Sequence, residues 1–183
     1  MSLLRTLSWT LMVVCTIGTV AGVASATVFH SRDEALALAF PEADRVEARD
    51  FFLTAEQRSE IEHRAKAPLE SNLLTVYVGW KKEVCIGYAV LDTHVVRTLP
   101  ETFLIVISPA GRITATHVLA FYEPLEYLPS DRWLRQFDAK GVDDDLNVGR
   151  GISAISGSTL SSRAVAGGIR RALAIVAVLV KEK

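Results

Sequence analysis

Three hydropathy regimes divide this chain. From Thr6 to Phe29 no charged residue interrupts an apolar run, and about 20 such residues are enough to span a bilayer. From Leu73 onward, short runs rich in β-branched and aromatic residues recur at Leu74 to Trp80, Val84 to Leu91, Phe103 to Ser108 and Ile113 to Ala120, a pattern that predicts strands. From Ser162 to Lys183 the spacing turns helical, with Arg170 and Arg171 on the polar side and Ala172 to Val180 apolar nearly all round.

The connections complete the reading. Lys81-Lys82 predicts a tight reversal between the first two strands, and Pro109-Ala110-Gly111-Arg112 one between the last two. Strands joined in this way are antiparallel. Ahead of the sheet, Ser31-Arg32-Asp33-Glu34 and Thr54-Ala55-Glu56-Gln57 have the form of capping boxes, and Pro41 and Pro68 bound the helices they open. Glu42 to Phe52 reads as a connector or short strand. Another short helix is expected from near Ser130 to Phe137, and a loop from Lys140 to Arg150. The expected fold class is therefore α+β, an antiparallel sheet with flanking helices preceded by an N-terminal signal or membrane-anchor helix. Residues 1–26 form that leader, 27–72 a helical lead-in, and 73–183 the main domain.

With 183 residues the chain has room for one domain. Ala24-Ser25-Ala26 has the small-x-small form of a signal-peptidase site, while the run before it is also long enough for an uncleaved anchor. Either way the remainder is expected to be extracytoplasmic, on the periplasmic side. Cys15 follows Val14, where a lipoprotein would need a small residue. Cys85 is the one cysteine after the leader, so no structural disulfide is expected. The formal net charge of −1, one unit more negative without Arg5, supplies no basic face for nucleic acid.

Several chemistries can be set aside. His30, His63, His94 and His117 form no i, i+4 pair and have no Cys-x-x-Cys companion, so neither zinc nor c-type haem is read, and each histidine is taken as surface or strand filler. Asp143-Asp144-Asp145 lacks the oxygen-ligand spacing of an EF-hand and reads as a solvated loop. Ser158 lacks the flanking glycines of a Gly-x-Ser-x-Gly nucleophile elbow, and no Gly-Lys-Ser or Gly-Lys-Thr marks a Walker A loop.

What remains is Ser156-Gly157-Ser158-Thr159-Leu160-Ser161-Ser162, five hydroxyls and a glycine ahead of the last helix. The first amides of a helix lack internal partners and carry partial positive charge, so an anion is stabilised there. The same hydroxyls can equally serve as caps. On local chemistry both readings stand.

The segment Ser153 to Val165 resembles the signature of the FMN-binding domain family, represented by the Rnf complex G subunit, the C subunit of sodium-translocating NADH:quinone oxidoreductase and NosR-type regulators. Ser156, Gly157 and Thr159 match motif positions. Ser161 falls where many members receive FMN through a phosphoester made by a flavin transferase. Ser153 replaces the family's Asp, and Ser158 its Ala. Ile86-Gly87-Tyr88-Ala89-Val90 is similar to the family's Gly-Tyr strand. Phe121-Tyr122-Glu123-Pro124 is similar to a His-x-Glu-Thr-Pro segment, without the His and Thr.

The resemblance implies FMN as cofactor, held by Ser156, Gly157, Ser158, Thr159, Leu160, Ser161 and Ser162. Glu123 is either a solvated carboxylate or a residue that shapes the flavin pocket. It also implies electron transfer with a membrane redox complex, a cytochrome or an iron–sulfur protein, with no substrate reaction of its own. Noncovalent FMN binding, or a flavin-free accessory or sensory subunit docked through the apolar C-terminal helix, are the alternatives.

Overall fold

The computed structural model describes residues 27–181. The expected leader, 1–26, lies outside them. Among the described residues, no helix is long and apolar enough to cross a membrane.

The chain is α+β. Six strands form one sheet in the order β1-β6-β5-β4-β3-β2, every neighbouring pair antiparallel. The strands are β1 (Thr27–Val28), β2 (Arg45–Phe52), β3 (Leu73–Lys81), β4 (Val84–Val96), β5 (Leu99–Ile107) and β6 (Ile113–Phe121). The helices are α1 (Arg32–Ala39), α2 (Ala55–Ala65), α3 (Asp131–Leu134) and α4 (Thr159–Val176). The segment read as a helical lead-in thus also supplies both edge strands. β2 pairs with β3 over its whole length. Its sequence, Arg-Val-Glu-Ala-Arg-Asp-Phe-Phe, shows no strong apolar face because it is an edge strand with one side in water, where charges also discourage pairing with another chain.

β3 to β6 form a meander of tight turns. Lys82 and Glu83 connect the pair Lys81 and Val84, both with positive φ, 46° and 62°, as a two-residue hairpin matched to strand twist requires. β4 runs five residues past the expected end at Leu91, to Val96. Its continuation alternates Asp92, His94 and Val96 on the buried side with Thr93 and Val95 exposed. Polar residues on the inward face hid the strand from a search for apolar alternation.

Both capping boxes form: Ser31 with Glu34 opens α1, and Thr54 with Gln57 opens α2. One face of the sheet carries Val76, Val90, Phe103, Ile105 and Ile107 against α2, α3 and α4. On the other, Ala35 and Phe40 of the α1 segment cover Tyr77, Ala89, Leu104 and Val106. Phe40 fits because the cross-strand pair Gly79 and Gly87 leaves room. A Cβ on Gly79 would lie 2.6 Å from the Phe40 ring.

Helix α4 is apolar all round near its end because it is enclosed there: Ala172, Leu173, Ala174, Ile175 and Val176 are all buried. A π-helical turn, Ala177–Lys181, follows. Arg170 and Arg171 do not sit on a solvent-facing polar side, as the spacing had implied. Arg170 Nε donates to Ala65 O at the end of α2, 2.7 Å away, satisfying a terminal helix carbonyl. Arg171 makes a two-point ion pair with Asp92 on β4.

Candidate functional site

The serine-rich segment forms an elbow. Gly157 has φ 83°, and a Cβ there would meet nothing within 4 Å. Glycine is therefore used for its backbone freedom and not for close packing. Ser158 N donates to Ile155 O at 3.3 Å, and α4 starts one residue later. Helices α1, α2 and α3 each begin under a side-chain cap, from Ser31, Thr54 and Ser130. Helix α4 has none. The Ser158 hydroxyl donates instead to Glu126 O at 3.4 Å, and that of Ser162 to Thr159 O at 3.1 Å. The capping alternative is thus unfilled, and among the described residues the first-turn amides have no side-chain acceptor.

The hydroxyls divide into two sets. Ser156 and Thr159 are exposed, as are Gly157 and Leu160. Ser158, Ser161 and Ser162 are buried. Ser161 is 4% exposed, and its hydroxyl has no hydrogen-bond partner among the described residues. This is a donor without an acceptor at an uncapped helix start, an arrangement that suits an anionic oxygen.

Glu123 is brought into the neighbourhood, but not as a solvated carboxylate. It is 7% exposed, with Oε1 enclosed and unpartnered. Its segment continues into a 3-10 turn, Leu125–Tyr127, which meets the elbow through the Ser158 to Glu126 hydrogen bond. Leu125 and Leu160, 55% and 51% exposed, flank this contact. Arg97, at the β4–β5 turn, stacks over Tyr127 at 4.9 Å and makes no ion pair among the described residues.

Against the second half of α4 lies a buried ionisable cluster that the sequence reading missed. Asp92 accepts from Arg171 Nε and Nη2, each at 2.8 Å. Its Oδ2 lies 2.6 Å from His94 Nδ1, and His94 Nε2 is 3.8 Å from Glu101 Oε1. His94 stacks on Phe103. It is thus a buried, charge-linked group rather than surface or strand filler. Glu101 is completely enclosed, with neither oxygen hydrogen-bonded. Burial raises its pKa to about 7, opposed by His94 and reinforced by Glu123 and Asp92. Burial also pulls the Asp92 carboxyl upward, but hydrogen bonds from His94 and Arg171 outweigh it and hold the group below its usual range. Gly168 permits the approach of α4, since a Cβ there would sit 2.3 Å from Asp92 Oδ2. The available signal was period-2 alternation: Asp92 and His94 share a face with Val90.

The remaining polar candidates lie elsewhere. His30 and His117 line a cavity of about 530 Å³ beside β6 and α3, and none of the elbow residues Ser156 to Ser162 is in its lining. Burial lowers the His117 pKa, with His30 adding to the effect. Asp144 ties its loop to Arg112 and to Gly141 N at 2.6 and 2.7 Å, and Asp145 binds Asn147. Cys85 is a free, half-buried thiol. Among the described residues, no three His, Cys, Asp or Glu side chains are arranged to hold a metal ion. No family model and no curated protein matches the chain.

Proposed function

We propose that this chain is an extracytoplasmic FMN-binding electron-transfer protein whose flavin phosphate sits at the start of α4. The observation that carries the reading is the unpartnered hydroxyl of Ser161, a residue 4% exposed, at a helix terminus that no side chain caps. Ser156 and Thr159 offer exposed hydroxyls beside it, Gly157 lets the backbone turn, and the first-turn amides supply partial positive charge. The resemblance of Ser156 to Ser162 to the flavin-domain signature supports FMN over other phosphate esters. Leu125, Leu160 and Tyr127 provide apolar and aromatic surface for a flat ring, and Arg97 an exposed cation. FMN would contribute the redox chemistry, and the protein its orientation and potential. The electron partners are then a membrane redox complex, a cytochrome or an iron–sulfur protein.

Attachment has two forms. A phosphoester to Ser161, made by a flavin transferase, follows from the motif position. The low exposure of Ser161 as a whole, 4%, favours noncovalent binding, because it leaves a transferase little room to approach.

Absorbance and intact mass of protein exported from cells that contain a flavin transferase test the proposal. The expected result is a flavin spectrum. A mass increase of FMN less one water, mapped to Ser161 and abolished by Ser161→Ala, identifies the ester. A yellow protein of unmodified mass identifies the noncovalent form. Colourless protein that fails to bind added FMN overturns the assignment and leaves the flavin-free accessory role.

A further inference from the structure

Beneath α4 lies a run of ionisable groups, buried except for the partly exposed Arg171, that a flavin phosphate seat does not use. Its members are Arg171 from α4, Asp92 and His94 from β4, Glu101 from β5, and Glu123 from the segment after β6. Three carboxyls oppose one guanidinium and one imidazole. Even with His94 protonated, the fully ionised cluster carries one excess negative charge. Glu101 has no exposure and no hydrogen-bond donor to either oxygen, the setting in which a carboxyl retains its proton.

The run has two distinct ends. Asp92 and Arg171 border a cavity of about 310 Å³ whose walls include Leu69, Tyr77, Leu91 and Ile175. At the other end, Glu123 lies three residues before Glu126, whose carbonyl accepts the Ser158 hydroxyl at the mouth of α4.

We propose that Asp92, His94, Glu101 and Glu123 form a proton-binding site whose occupancy rises when negative charge enters the seat at the N-terminus of α4. One proton resides on Glu101. It exchanges with water in the cavity by way of Asp92 and His94: Nδ1 lies 2.6 Å from Asp92 Oδ2, and a movement of the imidazole closes the 3.8 Å between Nε2 and Glu101 Oε1, so that a proton entering at Nδ1 is matched by one leaving Nε2 for Glu101, and the reverse sequence returns it. The step conserves charge and requires no other reactant. Proton uptake on anion binding, and tighter anion binding at lower pH, are the two faces of one linkage. The coupling rests on the flavin-phosphate reading of the elbow, whereas the proton site does not.

Two experiments test these parts separately. Infrared difference spectra of ligand-free protein between pH 5 and 9 should show a protonated-carboxyl band that titrates near neutrality, disappears in Glu101→Gln, and persists in the exposed control Glu126→Gln. Absence of the band, or its survival in Glu101→Gln, overturns the proton site. Should Glu101→Gln fail to fold, Glu123→Gln serves instead: removing the nearby charge should move the band's titration to lower pH, and an unmoved band counts against the pair.

The second experiment is calorimetric titration with sulfate and with FMN at pH 7, in buffers of different ionisation enthalpy. Wild type should take up about a quarter of a proton more than Glu101→Gln, as a Coulombic shift of about half a pKa unit implies. Binding with no such difference overturns the coupling alone. Failure of both probes to bind overturns the seat and the coupling together, and leaves the infrared result to decide the proton site.

Discussion

Replacing Glu101 with Gln removes an ionisable group from a fully enclosed position while keeping its size and shape. In the folded protein the carboxyl pKa rises from 4.5 to about 7. The folded state therefore binds this proton more tightly than the unfolded chain, and stability falls as pH rises through the interval. The contribution is complete below about pH 4.5 and is lost as pH passes through about 7. At roughly 1.4 kcal/mol per pKa unit, the interval corresponds to about 3 kcal/mol. Asp92 acts in a separate window. Its lowered pKa supplies stability that is present above its unfolded value of 3.8 and lost as pH falls through and below it. Urea unfolding of wild type and Glu101→Gln, at steps from pH 4.5 to 8.5, isolates the effect. The wild-type free energy should decline across this range, and the variant should lack about 3 kcal/mol of that decline and become the more stable protein at pH 8. A parallel pH dependence in the two proteins, or a variant less stable at pH 8, would refute an enclosed, protonated Glu101.

Arg171→Leu should destabilise the fold by about 3–5 kcal/mol, because it strands the buried Asp92 carboxylate. Adding Asp92→Asn should recover part of that loss in denaturant unfolding. Gly79→Ala places a Cβ 2.6 Å from Phe40 Cδ1 and should cost about 1–3 kcal/mol by overpacking. Combination with Phe40→Leu should restore the melting temperature if that contact is the cause. Thr54→Ala removes one half of the α2 capping box and should lower unfolding free energy by about 1 kcal/mol, with little change in affinity for FMN.

Local chemistry made much of the fold legible. Ser31 with Glu34 and Thr54 with Gln57 specify helix starts through contacts three residues apart, so the sequence contains both partners. Apolar runs located β3 to β6 because their buried faces are mostly Val, Ile, Leu, Phe and Tyr. The edge strand β2 was less visible, since half its residues face water and charges are tolerated there.

The sequence by itself determined the helix caps, the meander and the grouping of hydroxyls around Gly157, all of which depend on residues near one another in the chain. Only the tertiary structure decided that the Ser158 hydroxyl would leave the helix terminus for Glu126. The same holds for the inward course of Arg171 and for the meeting of Asp92, His94, Glu101 and Glu123. Those relations join residues from separate strands and a helix, and burial changes the chemistry of each group by removing water and substituting particular neighbours. A charged residue reads as solvated in a sequence until the fold encloses it.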